Sequence, residues 1–257
     1  MSTNALFDLS GKVAIVTGGG NGIGKSCCQM LSAAGAAVVV SDLKIADAEK
    51  VAEEINAADG KALAVECNVT KDEALVHLVQ KTVDAFGGVD ILVNNAGGGG
   101  GGRENPFKIS VSDFEWVFKL NVFSAWRLSQ LCVPHMKKGG YGSIINITSM
   151  SSINKSPNMS AYASSKAALN HMTCNLAFDF GPEVRINAVG PGATRTAALA
   201  SVLTPEIEEK MLAHTPIKRL GEVEDIAGAV LYFASPISTW VSGQVIFVNG
   251  GGIQTLD

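Results

Sequence analysis

A β-branched run that passes through a glycine loop into a helix restricts this chain more than any other feature. Lys12-Val13-Ala14-Ile15-Val16-Thr17 reads as a first buried strand. Gly18-Gly19-Gly20-Asn21-Gly22-Ile23-Gly24 follows at once, ahead of a helical segment that reaches about Ala34. Glycines let a backbone come close to a pyrophosphate, and a helix N-terminus offers unpaired N–H groups and a partial positive charge. Strand, loop and helix in this order are the setting a dinucleotide site requires, with Gly18, Asn21, Gly22, Ile23 and Gly24 as its contacts. A tight turn with no ligand is the plainer alternative.

The same alternation continues down the chain. Ala36-Ala37-Val38-Val39-Val40-Ser41 reads as a second buried parallel strand ending at Asp42. A carboxylate there would accept hydrogen bonds from adenosine ribose hydroxyls and repel a 2′-phosphate, which favours NAD over NADP. Capping of the next turn is the plainer alternative for Asp42, and nearby Lys44 leaves room for a phosphate. A helix from about 46 to 58 precedes a third strand at 62–67, and a further helix runs from about 71 to 86. Val89-Asp90-Ile91-Leu92-Val93 reads as the fourth strand, 113–136 as one long helix, and Gly142 to Thr148 as a fifth strand. Ala161 to Phe180 reads as a helix, 184–189 and 244–248 as the last two strands, and 222–234 as the last core helix. The expected fold class is α/β: a single Rossmann-type doubly wound parallel sheet of about seven strands with helices on both faces. Residues 1–257 would form one catalytic domain, with a substrate lid at about 193–216. Six consecutive glycines, Gly97 to Gly102, read as a flexible loop or a mobile rim over the cleft.

Composition narrows the partners. Of the 257 residues 47% are hydrophobic and 17% charged, which is a globular balance. A net charge of -4 argues against nucleic acid or an anionic membrane as partner. No apolar stretch is long enough to span a bilayer and no signal segment is read, so a cytoplasmic setting is expected. The five cysteines form no Cys-x-x-Cys. Cys132-x-x-His135 and His171-x-x-Cys174 have helix-compatible spacing for a zinc site, but nothing in the sequence brings the pairs together; core packing is the preferred reading and no metal is expected.

The chemistry centres on Ser149 and on Tyr162-Ala163-Ser164-Ser165-Lys166. On a helix, Tyr162 and Lys166 share a face one turn apart. A free phenol, with a pKa of roughly 10, is a poor base at neutral pH, and an ammonium beside it favours the phenolate. A serine hydroxyl converging on the same point could hold an alcohol or carbonyl oxygen. Together they would make a proton-transfer site for interconverting an alcohol and a ketone. A solvated surface pair is the alternative for Tyr and Lys at this spacing.

Ser149 with Tyr162-x-x-x-Lys166, together with Thr17-Gly18-x-x-x-Gly22-x-Gly24 and Asn94-Asn95-Ala96-Gly97, resembles the short-chain dehydrogenase/reductase family. That resemblance covers about Gly11 to Gly252. It implies catalytic roles for Asn121, Ser149, Tyr162 and Lys166, with Ser149 and Tyr162 meeting the substrate, Lys166 lowering the Tyr162 pKa and bonding the nicotinamide ribose, and Asn121 disturbing its helix to hold a water. It implies cofactor contacts from Asn68 and Val69 at the adenine, from Asn95, Ala96 and Gly97, and from Pro191, Gly192, Thr194 and Thr196 at the nicotinamide. The family usually has an aspartate where this chain has Asn68, and an Asn carbonyl could accept the same hydrogen bond. The runs 94–100, 162–168 and 204–217 resemble hydroxysteroid-oxidising members, which implies NAD-linked oxidation of a bile-acid hydroxyl. A ketoacyl reductase of the same family and a non-catalytic NAD-binding regulator are the alternatives. The substrate would be a small apolar alcohol or ketone. The family's usual homotetramer would cover apolar residues of the Tyr162 helix such as Leu169, Met172, Leu176 and Phe178.

Overall fold

The computed structural model of the chain describes residues 3–99, 104–200 and 203–252. Seven strands form one parallel sheet: β1 (Val13–Thr17), β2 (Ala37–Asp42), β3 (Lys61–Glu66), β4 (Ile91–Asn94), β5 (Gly142–Ile147), β6 (Val184–Pro191) and β7 (Val245–Val248). The helices are α1 (Thr3–Leu6), α2 (Gly22–Ala33), α3 (Ile45–Ala57), α4 (Asp72–Phe86), α5 (Val111–Phe118), α6 (Ser124–Gly139), α7 (Ser160–Phe180), α8 (Ala197–Ala200), α9 (Pro205–Ala213) and α10 (Val223–Ala234). The strand order is β3-β2-β1-β4-β5-β6-β7, so the chain reverses its direction of travel between β1 and β4.

Period-two alternation divides the core into two layers. Ala14, Val16, Val38, Val40, Ile145 and Val189 face one way, against Cys28 and Leu31 of α2, Val51 and Ile55 of α3 and Val230 and Phe233 of α10. Ile15, Val39, Leu92, Ile144 and Ile186 face the other way, against Leu78 of α4, Leu128, Cys132 and Met136 of α6 and Leu176 of α7. The central strands are buried on both faces, which is why they read as unbroken apolar runs.

One expected helix is divided. The span read as a single helix is α5, a π-helical turn at Lys119–Phe123, and α6. The turn absorbs an extra residue and swings Asn121 inward, where it is 2% exposed. Phe178 on α7 is 90% exposed, while Leu169 and Leu176 are buried. The glycine run is described only through Gly99; Gly100 to Gly102 lie outside the described residues. All five cysteines are free, and burial alone pushes Cys27 up to about 12 and, as the largest influence, Cys67 to about 11. Among the described residues no three His, Cys, Asp or Glu side chains gather at a metal-binding distance; Cys132 packs in the core.

Candidate active site

Where the strand order reverses, the carboxyl ends of β1 and β4 part and leave a crevice. The two ends are stitched by side chains. Thr17 Oγ1 accepts from the backbone N–H groups of Asn95 (3.1 Å) and Ala96 (3.0 Å), and Asn95 Nδ2 donates back to the carbonyls of Thr17 (2.9 Å) and Gly18 (3.0 Å). This brings Gly18 and Gly24 so close that a Cβ on Gly24 would lie 2.0 Å from the Gly18 carbonyl oxygen. Gly22 has φ +52, a left-handed backbone that only glycine adopts readily, and faces Thr196 across the crevice. Asn21 precedes α2 without a side-chain cap bond, so the first amides of that helix are left for a ligand.

Asp42 closes the far side. Its carboxylate accepts from the N–H of Gly20 (3.0 Å) and of Lys44 (3.1 Å), so it both pins the glycine loop and starts the next turn. Asn68 lines the crevice, but its Oδ1 already accepts from Thr70 N (3.0 Å) and Thr70 Oγ1 (2.7 Å). Both lone pairs are committed, so the expected acceptance from an adenine amino group does not fit; only the amide nitrogen of Asn68 is left to meet a ligand.

The cavity is about 770 Å³. It is lined by Gly18, Asn21, Gly22, Ile23, Gly24, Asp42, Asn68, Val69, Asn95, Ala96, Gly97, Ser149, Tyr162, Lys166, Pro191, Gly192, Thr194 and Thr196, which brings together every expected contact except Asn121. Asn121 stands behind the wall. Its Oδ1 accepts from Gly98 N (2.9 Å), and its Nδ2 donates to Gly98 O (2.9 Å) and Ser165 Oγ (2.8 Å). These bonds tie the side chain to the Gly98 backbone and to α7, at the π-helical turn that interrupts the helix. Gly97 lies between Asn121 and Lys166: a Cβ there would come within 2.8 Å of Asn121 Oδ1 and 3.0 Å of Lys166 Nζ.

The β5 strand delivers Ser149 and α7 delivers Tyr162 and Lys166. Lys166 is 4% exposed, and among the described residues its one hydrogen bond goes to Ile147 O at 2.8 Å. A buried amine with three donors and one protein partner, the uncapped α2 amides and the glycine cradle all fit a bound dinucleotide. Burial lowers the Lys166 pKa to about 8. Tyr162 runs against expectation: its pKa is raised, first by burial, with a hydrogen bond from Ser149 pulling it down and Glu104 pushing it up. Lys166 turns toward Ile147, with Nζ 5.8 Å from the phenol ring centre, and does not offset burial. A cation entering the crevice would favour the phenolate.

A family model described as enoyl-(acyl carrier protein) reductase matches residues 18–252. The chain belongs to the short-chain dehydrogenase/reductase family. It is accordingly an oxidoreductase of that family. Over 250 residues, 97% of each chain, it is 51% identical to 7alpha-hydroxysteroid dehydrogenase of Escherichia coli K12. It is 38% identical to the Clostridium sardiniense protein of the same name over 95% of this chain and 94% of the other. A solved 7alpha-hydroxysteroid dehydrogenase, complexed with NADH and 7-oxo glycochenodeoxycholic acid, matches with TM-score 0.96 and 49% identity over 100% of both chains.

Several lining residues of this short-chain dehydrogenase were not singled out as contacts in the sequence. Trp116, Leu120, Met150, Met159, Leu199 and Met211 form an apolar wall beyond Ser149 and Tyr162. Only Leu199 and Met211 fell within the expected lid; the others come from α5, the π-helical turn and the segment between β5 and α7. Glu104, buried beside Tyr162, was missed as well.

Proposed function

We propose that this chain is an NAD-dependent dehydrogenase acting on the 7α-hydroxyl of bile-acid steroids. The observation that carries this reading is the cleft itself: a glycine cradle and Asp42 at one end, a hydroxyl pair over a buried amine in the middle, and an apolar wall at the other. The whole-length likeness to 7alpha-hydroxysteroid dehydrogenases supports the steroid. The proposed domain is single, with α8, α9 and the segment around them as a lid over the apolar end. Exposed Phe178 and Trp240 (98%) suit burial between subunits of a homotetramer, and five free thiols suit a cytoplasmic setting.

When bound, a nicotinamide dinucleotide supplies a hydride acceptor. The rest falls to the chain. Ser149 Oγ holds the substrate oxygen while Tyr162 Oη, as phenolate, takes the hydroxyl proton; the C–H pair leaves as hydride and a C=O bond forms. Lys166 holds positive charge beneath the phenol and offers its remaining donors to a ribose. The Asp42 carboxylate would hold the hydroxyls of an adenosine ribose.

The test is the initial rate of NADH formation with cholate and NAD, compared with NADP and with deoxycholate, which lacks a 7-hydroxyl. Turnover of cholate with none of deoxycholate is expected. Activity confined to a simple secondary alcohol or an acetoacetyl ester would discard the steroid. Asp42→Ser should narrow the NAD-to-NADP ratio of kcat/KM by about 10- to 100-fold, since it removes a like charge from the 2′ position. An unchanged ratio would remove Asp42 from cofactor choice.

A further inference from the structure

Glu104 follows the glycine run, belongs to no regular element and is 3% exposed. Its Oε2 accepts from the Tyr162 N–H at 3.0 Å. Tyr162 lies in the first turn of α7, where the N-cap residue Met159 makes no side-chain cap bond. Unpaired N–H groups and the helix dipole make a carboxylate the favoured acceptor at such a turn. The other oxygen packs on the cleft rim: a Cβ on Gly99 would lie 3.1 Å from Glu104 Oε1 and 3.5 Å from Tyr162 Cβ. Glu104 is thus wedged between the rim and the turn that carries the phenol.

We propose that Glu104 is a positioning residue: a remote carboxylate cap that ties the cleft rim to the first turn of α7, fixes Tyr162 beside Ser149 and sets a buried negative charge against that turn. This rests on the dehydrogenase reading above. The direction of the Tyr162 shift agrees, because Glu104 is among the influences that raise it, after burial and against Ser149. Among the described residues the other charged group at Tyr162 is Lys166 on the same helix. Asp113, Glu115 and Lys119, on the elements packed across from α7, are exposed, and Arg185 of β6 is bonded to Ser238 and Phe233 O. A protonated phenol is the form that donates to a carbonyl, so Glu104 biases the site toward reduction.

Glu104→Gln keeps an acceptor oxygen and removes the charge. The tyrosinate absorbance of each protein, after subtraction of its Tyr162→Phe counterpart, isolates Tyr162 from Tyr141 and Tyr232. The Tyr162 midpoint should fall by about half a pH unit or more in Glu104→Gln, and the acid limb of kcat/KM for alcohol oxidation should fall with it. Glu104→Asp, which keeps the charge but withdraws it, should move the midpoint less, and it carries the test if the Gln variant does not fold. A purely structural cap would move neither curve, and an unchanged midpoint in a folded Gln variant overturns the proposal. The absorbance titration needs no substrate: a chain that turns over nothing, yet shows the shift, would overturn the dehydrogenase reading and leave the placement of Glu104 standing.

Discussion

Tyr162→Phe is expected to lower kcat for alcohol oxidation by about 10²- to 10⁴-fold, the usual contribution of a positioned acid–base group. The substitution keeps the ring, its packing and the Glu104 bond to the Tyr162 backbone, and removes only Oη. Ser149 Oγ still accepts from Ser151 N at 3.1 Å, so the serine stays in place. NAD binding, followed by fluorescence quenching, and the melting temperature should therefore remain close to those of the unmodified chain. The pH dependence has a definite sign. Burial raises the phenol pKa, so the phenolate is scarce at neutral pH and gains population as pH rises. Oxidation, which needs the base, should accelerate with pH, and ketone reduction, which needs the protonated phenol, should slow. A loss under about tenfold, or a flat oxidation profile, would take Tyr162 out of the proton-transfer role.

The parallel sheet was readable because its strands are buried on both faces. Val38-Val39-Val40 and Ile144-Ile145 are apolar without alternation because both layers of the core need them. The glycine loop was readable because close approach leaves no alternative residue at Gly24. The π-helical turn was not: Leu120-Asn121-Val122 keeps helical periodicity, and the extra residue appears only when Asn121 must reach Gly98 and Ser165 at once. Asn68 could be aligned with an adenine contact, but its oxygen is claimed by Thr70 two residues on, a local competition that a motif does not reveal. The spacing of Tyr162 and Lys166 gave their common face. It did not give the depth of either group, and depth is what raises one pKa and lowers the other. Glu104 had no periodicity to mark it, since its place depends on the path of a loop.

Lys166→Met is expected to abolish turnover and, at the same time, to stabilise the fold at pH 7. Among the described residues Lys166 has no carboxylate partner, and burial takes its pKa from 10.5 to about 8. The folded value lies below the unfolded one, so the unfolded chain binds the proton more tightly. Between about 8 and 10.5 stability therefore rises with pH, and below about 8 the whole cost is present. At pH 7 that cost is about 3 kcal/mol. Methionine keeps the length of the stem and removes the charge. The change forfeits the bond to Ile147 O, which costs about 1–2 kcal/mol. The balance favours the variant by about 1–2 kcal/mol, a rise of several degrees in Tm for a chain of this size. Melting curves at neutral pH and near pH 10 check the sign, because the advantage should shrink as the unfolded lysine loses its own proton. A buried amine that destabilises the fold at the pH where it works is retained for what it does to bound groups rather than for what it holds together. A Lys166→Met protein that melts lower at pH 7 would reverse that argument and make Lys166 part of the framework.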